Sequence, residues 1–337
     1  MAGKAKRGAD TSWDVAGIGN AIVDVLTHAD DAFLVRNGLA KGAMTLIDAE
    51  RAAELYDRMG PAVEISGGSA ANTLVALASM GGRGAFIGKV RNDQLGGIFR
   101  HDIEAAGVSF ATPPATVGPP TARCLIFVTA DAQRTMQTYL GACAELTPAD
   151  IDENAIAAAK VTYLEGYLWD PPQAKQAFLK AAKLAHESGR KVALTLSDPF
   201  CVERHREEFR DLVAHHVDIL FANEHEIMSL FETDMFDDVF QHVRGMCEIA
   251  ALTRSERGSV IVSGEEVHII DAMPYAPVMD STGAGDAYAG GFLFGLTRGY
   301  DLAQCGRLAS LAAGEVISHF GARPEVPLAE LAAERLP

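Results

Sequence analysis

The sequence predicts an α/β fold of three layers: a mainly parallel central sheet covered by helices on both faces, with a small second β-sheet beside it. Three observations carry this expectation. From Val161 onward, strand-like apolar runs alternate regularly with helical ones, the order that lays strands parallel beneath crossover helices. Before that point, extended runs within about 25–47 and 109–141 fall outside the alternation and suit a small sheet of their own, placed as a lid over a cleft. Finally, 337 residues at 48% apolar and 22% charged can bury one large core, and no linker, repeat or low-complexity stretch divides them. The chain 1–337 therefore reads as a single domain.

The elements follow in order. Met1 to Trp13 carries basic residues with no apolar segment behind them, which predicts a frayed tail and no signal peptide. Asp14 to Val25 reads as a first buried strand, and Thr27 to Asp48 as short strands punctuated by Gly38 and Gly42. Ser66 to Thr73, rich in Gly and Ser, leads into a helix through Leu74–Ala78 whose small residues permit close packing. Gly81 to Val90 is turn, strand and loop; it cannot be a phosphate-binding P-loop, because Arg83 replaces the first Gly and Val90 the metal-binding Ser or Thr. Asp93 to Gly96 opens the next helix. Arg123–Thr129 and Arg134–Leu140 form a hairpin about Ala130–Gln133.

The regular part begins with a strand at Val161–Tyr167, a helix at Pro172–His186 and a strand at Lys191–Ser197. It continues with a helix at Phe209–His216, a strand at Ile219–Ala222, a helix at Glu224–Phe231 and a strand at Ile249–Thr253. A hairpin at Ser259–Ile270 turns on Gly264-Glu265, and a late helix lies within Leu302–Phe320.

Composition narrows the function. A formal charge of −16 argues against nonspecific binding to nucleic acid or anionic membranes. Five scattered cysteines without a Cys-x-x-Cys pair suit reduced, packed thiols in a cytoplasmic protein. No run approaches the roughly 18 apolar residues of a membrane span.

The chemistry concentrates in Asp280-Ser281-Thr282-Gly283-Ala284-Gly285-Asp286, followed by an apolar segment rich in Ala, Gly and Leu. A Gly-rich turn entering a buried helix presents free amides at the positive end of the dipole, a place for an anion. A carboxylate in the opening turn can face whatever that anion is bonded to. Phosphate and carboxylate together point to phosphoryl transfer, the amides holding the migrating group and Asp286 accepting a hydroxyl proton. Asn223 and Glu226 have the spacing of a capping box. Gly17-x-Gly19 does not extend to a dinucleotide fingerprint, since Ile22 occupies the sixth position and Asp24 comes too early.

These motifs resemble those of the ribokinase family, the PfkB-type carbohydrate and nucleoside kinases, over Asp14 to about Pro324. The resemblance implies a ribokinase-like α/β/α domain with a β lid. It implies that Asp286 is the catalytic base and that the amides of Gly283, Ala284 and Gly285 form the anion hole. It assigns Asp24, Gly67, Gly68 and Asn72 to the substrate's hydroxyls. Gly19-Asn20, Arg134 and Tyr167 resemble the adenosine-kinase branch, where they imply substrate contact by Asn20, phosphate contact by Arg134 and purine stacking on Tyr167. Asn223 and Glu226 match the motif near magnesium and the phosphates, Glu226 reaching the metal through water. Thr253 and Gly258 match a nucleotide-binding segment. Ser281 and Ser255 depart from the family pattern, the latter standing where a Gly is usual. The expected activity is transfer of the ATP γ-phosphate to adenosine, giving AMP. The alternative within the family is a sugar such as ribose, fructose or 2-keto-3-deoxygluconate. Mg²⁺ and a monovalent cation such as K⁺ are the implied ions, and a monomer or a lid-mediated homodimer the implied state. An NAD-dependent oxidoreductase and a non-catalytic nucleotide-binding protein are the rivals from other classes.

Overall fold

The strand-like runs of the sequence sort into two sheets in the computed structural model, which describes residues 12–131 and 133–336. In chain order the strands are β1 (Trp13–Ile18), β2 (Ile22–His28), β3 (Met44–Leu46), β4 (Val63–Gly67), β5 (Gly84–Ile87), β6 (Ala122–Val128) and β7 (Arg134–Tyr139). There follow β8 (Ala159–Glu165), β9 (Lys191–Thr195), β10 (Ile219–Asn223), β11 (Ile249–Thr253), β12 (Ser259–Ser263) and β13 (Glu266–Ile270). The larger sheet has eight strands in the order β13-β12-β11-β10-β9-β8-β1-β5. Its pairings from β11 to β5 are parallel, and β12 and β13 add an antiparallel hairpin at one edge.

Strands buried on both faces read as continuous apolar runs, which is why β1, β8, β10 and β11 lack alternation. Phe178, Phe209 and Leu212, from the helices Pro172–Glu187 and Pro199–His216, fill one face. Leu74 and Phe292, from the helices Ser69–Ser79 and Ala284–Thr297, pack with Tyr163 on the other. The second of these layers needs small residues. A Cβ at Gly290 would lie 2.5 Å from the carbonyl oxygen of Thr73, and one at Gly291 2.8 Å from that of Leu308. The Ala- and Gly-rich helix Ala284–Thr297 thus sits wedged between Ser69–Ser79 and Leu302–Val316, and its N-terminus is fixed in position.

Strand order reverses between β1 and β8, so the crevice beyond their carboxyl ends is where an open α/β sheet binds ligands. There the chain leaves the larger sheet. Glu165, at the end of β8, accepts hydrogen bonds from the backbone and side-chain amides of Asn20 (3.3 and 2.6 Å) and from Ala70 N (2.8 Å). These contacts turn the backbone out of the ladder after Ile18 and into β2.

The second sheet has the order β3-β7-β6-β2-β4. Val23, Val25, Leu125 and Phe127 on one face pack on Leu34, Leu55 and Phe99. By register, the opposite face carries Asp24 beside Cys124, Leu26 beside Ile126, and Val128 beside Arg134.

Several expected elements shift. Asp14 to Val25 is two strands in two sheets, for the reason just given. Thr27–Asp48 holds the end of β2, the strand β3, and a helix at Asp31–Arg36, N-capped by Asp30 and too short for its periodicity to show. The strand expected to reach Tyr167 ends at Glu165, and Tyr167 lies in the 3₁₀ turn Gly166–Trp169. The helix expected from Phe209 begins at Pro199 under an Asp198 cap; non-helical angles at His205 interrupt its period. Of the expected tail, residues 1–11 lie outside the described residues, as does Ala132 of the expected turn, whereas Trp13 opens β1. All five cysteines are free, and no helix among the described residues is long and apolar enough to cross a membrane.

Candidate active site

Asp286 stands in the first turn of the helix Ala284–Thr297. The turn before it is tight because Gly283 adopts φ 77° and lies against Ala322, whose Cα would be 2.7 Å from a Cβ there. No side chain caps this helix; Ala284 N donates to the Ser281 carbonyl oxygen (3.3 Å), and a Cβ on Gly285 would meet nothing within 4 Å. The turn expected to form the anion hole is thus open at Gly285 and packed against Ala322 at Gly283.

The Asp286 carboxylate accepts from Ser69 Oγ (2.6 Å) and from Asn72 Nδ2 (3.2 Å). Burial pushes its pKa up to about 6, against the pull of those two donors. Asn72 Oδ1 in turn accepts from Arg323 Nε at 3.2 Å. A donor-only guanidinium on one side and a carboxylate on the other fix which way the amide points.

Asp24 reaches the same cleft from β2. Burial raises its pKa to about 6, Arg323 and Arg134 pulling it down and Asp286 pushing it up. A Cβ on Gly67 would lie 2.3 Å from Asp24 Oδ2, so the glycine leaves room for the carboxylate. Gly68, beside it, would bring a Cβ within 2.2 Å of the Asn20 carbonyl oxygen. Asn20 itself is held by Glu165. Arg134 crosses from β7 to the turn ahead of the anion hole, where it donates to Thr282 Oγ1 (3.0 Å) and pairs with Asp280.

The residues expected on the nucleotide side lie at strand ends, with Asn223 and Thr253 paired at the termini of β10 and β11. Asn223 and Glu226 form a complete capping box: Glu226 accepts from Asn223 N (2.9 Å), and Asn223 Oδ1 from Glu226 N (2.9 Å). Burial raises Glu226 to about 7, the Asn223 amide opposing it and the charges of Asp198 and Asp286 adding to it. Tyr167 shares this neighbourhood: burial, with Asp198, Glu226 and Asp286 nearby, drives its phenol upward. Ser255 adopts φ 54°, the left-handed conformation that the usual Gly would take without strain, so the turn persists despite the substitution. At Gly258 a Cβ would lie 2.0 Å from the carbonyl oxygen of Ile270.

Ser69, Arg323, Glu165 and Asp198 enter the site without a role having been expected of them, and Asp280, which opens the expected motif, enters as the partner of Arg134. Local signals marked two of them, Asp198 as a cap before Pro199 and Asp280 as the start of the Gly-rich motif. The others act across more than 90 residues of sequence in most cases, as with Ser69 and Asp286, 217 apart. Among the described residues no group of three His, Cys, Asp or Glu side chains could itself hold a metal ion.

The shifted carboxylates set a pH dependence. The roles expected of Asp286 as base and Asp24 as hydroxyl acceptor both require the ionised form, and burial pushes each up to about 6. The acidic limb of kcat/KM for the acceptor is therefore expected near pH 6, not near the ordinary carboxylate value of about 4, and steeper than one proton. Asp24→Asn should reduce the limb to a single proton; a limb near 4 would contradict both assignments.

The pfkB family carbohydrate kinase model matches residues 39–329. The chain is 55% identical to the adenosine kinase from Sinorhizobium meliloti, over 96% of this chain and 99% of that one, with a TM-score of 0.89. It is 53% identical to a probable sugar kinase from Rhizobium etli, over 96% and 98%, with a TM-score of 0.90. At greater distance it is 27% identical to the adenosine kinase of Saccharomyces cerevisiae, over 85% of this chain and 89% of that one. With the Gly-rich turn, its carboxylate and the two-sheet architecture, these matches show that the chain belongs to the pfkB family of carbohydrate kinases, phosphotransferases that carry phosphate from ATP to an alcohol hydroxyl.

Proposed function

We propose that the acceptor is adenosine and the product AMP. One observation carries this reading: the cleft face of the small sheet is apolar apart from Asp24, His28, Arg134 and Thr138, with His28 at its far end from Asp24. Leu26, Cys124, Ile126, Val128 and Met136 lie together there. Such a surface suits a flat aromatic base, and the Asp24 carboxylate beside it suits ribose hydroxyls, whereas a free sugar would need polar partners along its whole length. The likeness to the Sinorhizobium meliloti enzyme supports it. A sugar acceptor is the second reading, favoured by the name of the Rhizobium etli relative. An ADP-release assay across adenosine, inosine, guanosine, ribose, fructose and 2-keto-3-deoxygluconate decides between them. Preference for a sugar over every nucleoside would overturn the adenosine reading.

In the proposed mechanism the small sheet, built within about 25–47 and 109–141 together with β4, acts as a lid that excludes water. Asp24 and Asn72 orient the acceptor, and Asp286 takes the proton of its attacking hydroxyl. The amides of Gly283, Ala284 and Gly285 stabilise the transferring phosphoryl group, and Arg134 keeps the preceding turn in place through Asp280. Both oxygens of Glu226 already accept from Asn223, so Glu226, with Asp198, would serve a magnesium ion through water, the ATP phosphates being its main ligands. When bound, the ion neutralises phosphate charge. The Asp280 carboxylate already accepts from Thr282 N, Thr282 Oγ1 and Gly321 N as well as pairing with Arg134. No step of this mechanism depends on a monovalent cation.

Glu226→Gln separates the cap from the metal role. Gln also completes the box, so a cap alone loses about 1 kcal/mol or less. Gln also copies the protonated form that burial favours at position 226, so melting should stay near normal. The magnesium concentration for half-maximal rate should rise. Superimposable magnesium titrations of variant and parent would leave only the cap.

A further inference from the structure

Arg323 has no part in the transfer step as described, yet it is placed at the centre of the acceptor side. Its Nε is bonded to Asn72, while its Nη2 is buried and meets no hydrogen-bond acceptor among the described residues. A buried cationic N–H without an acceptor is costly, so its retention points to an acceptor supplied in the working complex. The carboxylates of Asp24 and Asp102 act on Arg323 at longer range, and burial lowers its pKa to about 10 against their pull.

The loop that carries Arg323 is anchored on both sides. Gly321 N donates to Asp280 Oδ2 (3.1 Å), and the buried Glu315 accepts from Glu325 N (3.0 Å) and Val326 N (3.2 Å). The guanidinium is thereby held in place before any ligand arrives, as a recognition group needs.

We propose that Arg323 is a specificity-determining residue whose Nη2 donates to a hydroxyl oxygen of the acceptor, the same sugar edge that Asp24 grips by accepting. A hydroxyl both donates and accepts, so a carboxylate and a guanidinium facing one edge satisfy both roles. The ATP phosphates are the competing acceptor, but the groups that act on Arg323 are those of the acceptor side: Asn72, Asp24 and Asp102. This inference rests on the nucleoside reading above.

The test compares kcat/KM for adenosine, 2′-deoxyadenosine and 3′-deoxyadenosine in the parent and in Arg323→Met, with the KM for ATP measured alongside. The value for adenosine should fall about ten- to hundredfold. The value for the analogue lacking the contacted hydroxyl should stay within about twofold, so the parental preference collapses, with ATP unaffected. Arg323→Lys should restore part of the preference, and it serves as the test variant should the Met form not fold. Equal losses for all three acceptors would make Arg323 a support for Asn72, and a raised KM for ATP would assign it to the phosphates; either overturns the proposal. Should the parent prefer a sugar, the nucleoside reading fails by itself, and the same comparison with that sugar's deoxy analogues decides Arg323.

Discussion

Asp286→Asn is expected to fold as the parent does, to bind ATP and adenosine, and to lose on the order of 10²- to 10⁴-fold in kcat. The folding half of this expectation comes from the hydrogen bonds. Asp286 accepts from Ser69 Oγ and Asn72 Nδ2. The substituted side chain could keep its oxygen on Asn72 and turn its amide nitrogen toward Ser69, because a hydroxyl can accept as well as donate. No buried donor is stranded. The catalytic half follows from the proton. An ordinary carboxylate, with a pKa of about 4, is a weak base for an alcohol, but in a loose transition state the hydroxyl proton leaves late, once transfer has acidified it. Burial brings Asp286 to about 6, closer to the working pH while leaving it mostly ionised at neutrality. An amide keeps the shape and accepts a hydrogen bond but cannot take the proton. Single-turnover rates at saturating ATP and adenosine measure the loss directly. A variant that keeps more than about a tenth of parental turnover would remove Asp286 from the role, and with it the claim that this turn is the active centre.

What the sequence made legible was whatever is local. The Gly283–Asp286 turn, the Asn223/Glu226 cap and the hairpin at Gly264-Glu265 each depend on residues within one turn of one another, and each stands where it was expected. The alternation after Val161 was legible for the same reason: a strand buried on both faces announces itself in its own composition. What was not legible depends on chain segments that meet only in space. Asn20 was expected at the substrate through the resemblance alone, and nothing local showed that Glu165, 145 residues on, would accept from both its amides where the chain leaves β1. Arg134 could have been a solvated charge on a hairpin; Asp280 and Thr282 make it a tie between the two sheets' sides of the cleft. Arg323 gave no signal, since nothing near it in sequence explains a buried guanidinium. Short or kinked helices failed for a different reason. Asp31–Arg36 has too few residues to show a period, and the irregular His205 breaks that of Pro199–His216.

The acceptor side carries the second large effect, and its geometry makes the test unusually specific. Asp24→Ala removes the carboxylate expected to hold the ribose hydroxyls. Charge-assisted hydrogen bonds contribute about 1.5–3 kcal/mol each, so kcat/KM for adenosine should fall roughly ten- to hundredfold or more, with the KM for ATP nearly unchanged. Equal weakening toward both substrates, or toward neither, would remove Asp24 from the acceptor site. Gly67→Ala should approach the same loss without touching the carboxylate chemically. Its new Cβ would fall 2.3 Å from Asp24 Oδ2 and 2.6 Å from Cγ, separations no real structure tolerates, so the carboxylate must swing away from its place. The backbone of β4 is fixed opposite, Gly67 pairing with Ile22 and Ile65 with Asp24, so the strand cannot readily yield in its stead. The two substitutions should therefore be strongly non-additive. In an Asp24→Ala background nothing remains for the methyl group to displace, and Gly67→Ala should cost little further. Additive losses in the double variant would mean that Gly67 acts on the acceptor through its own backbone and that Asp24 is not what the glycine makes room for.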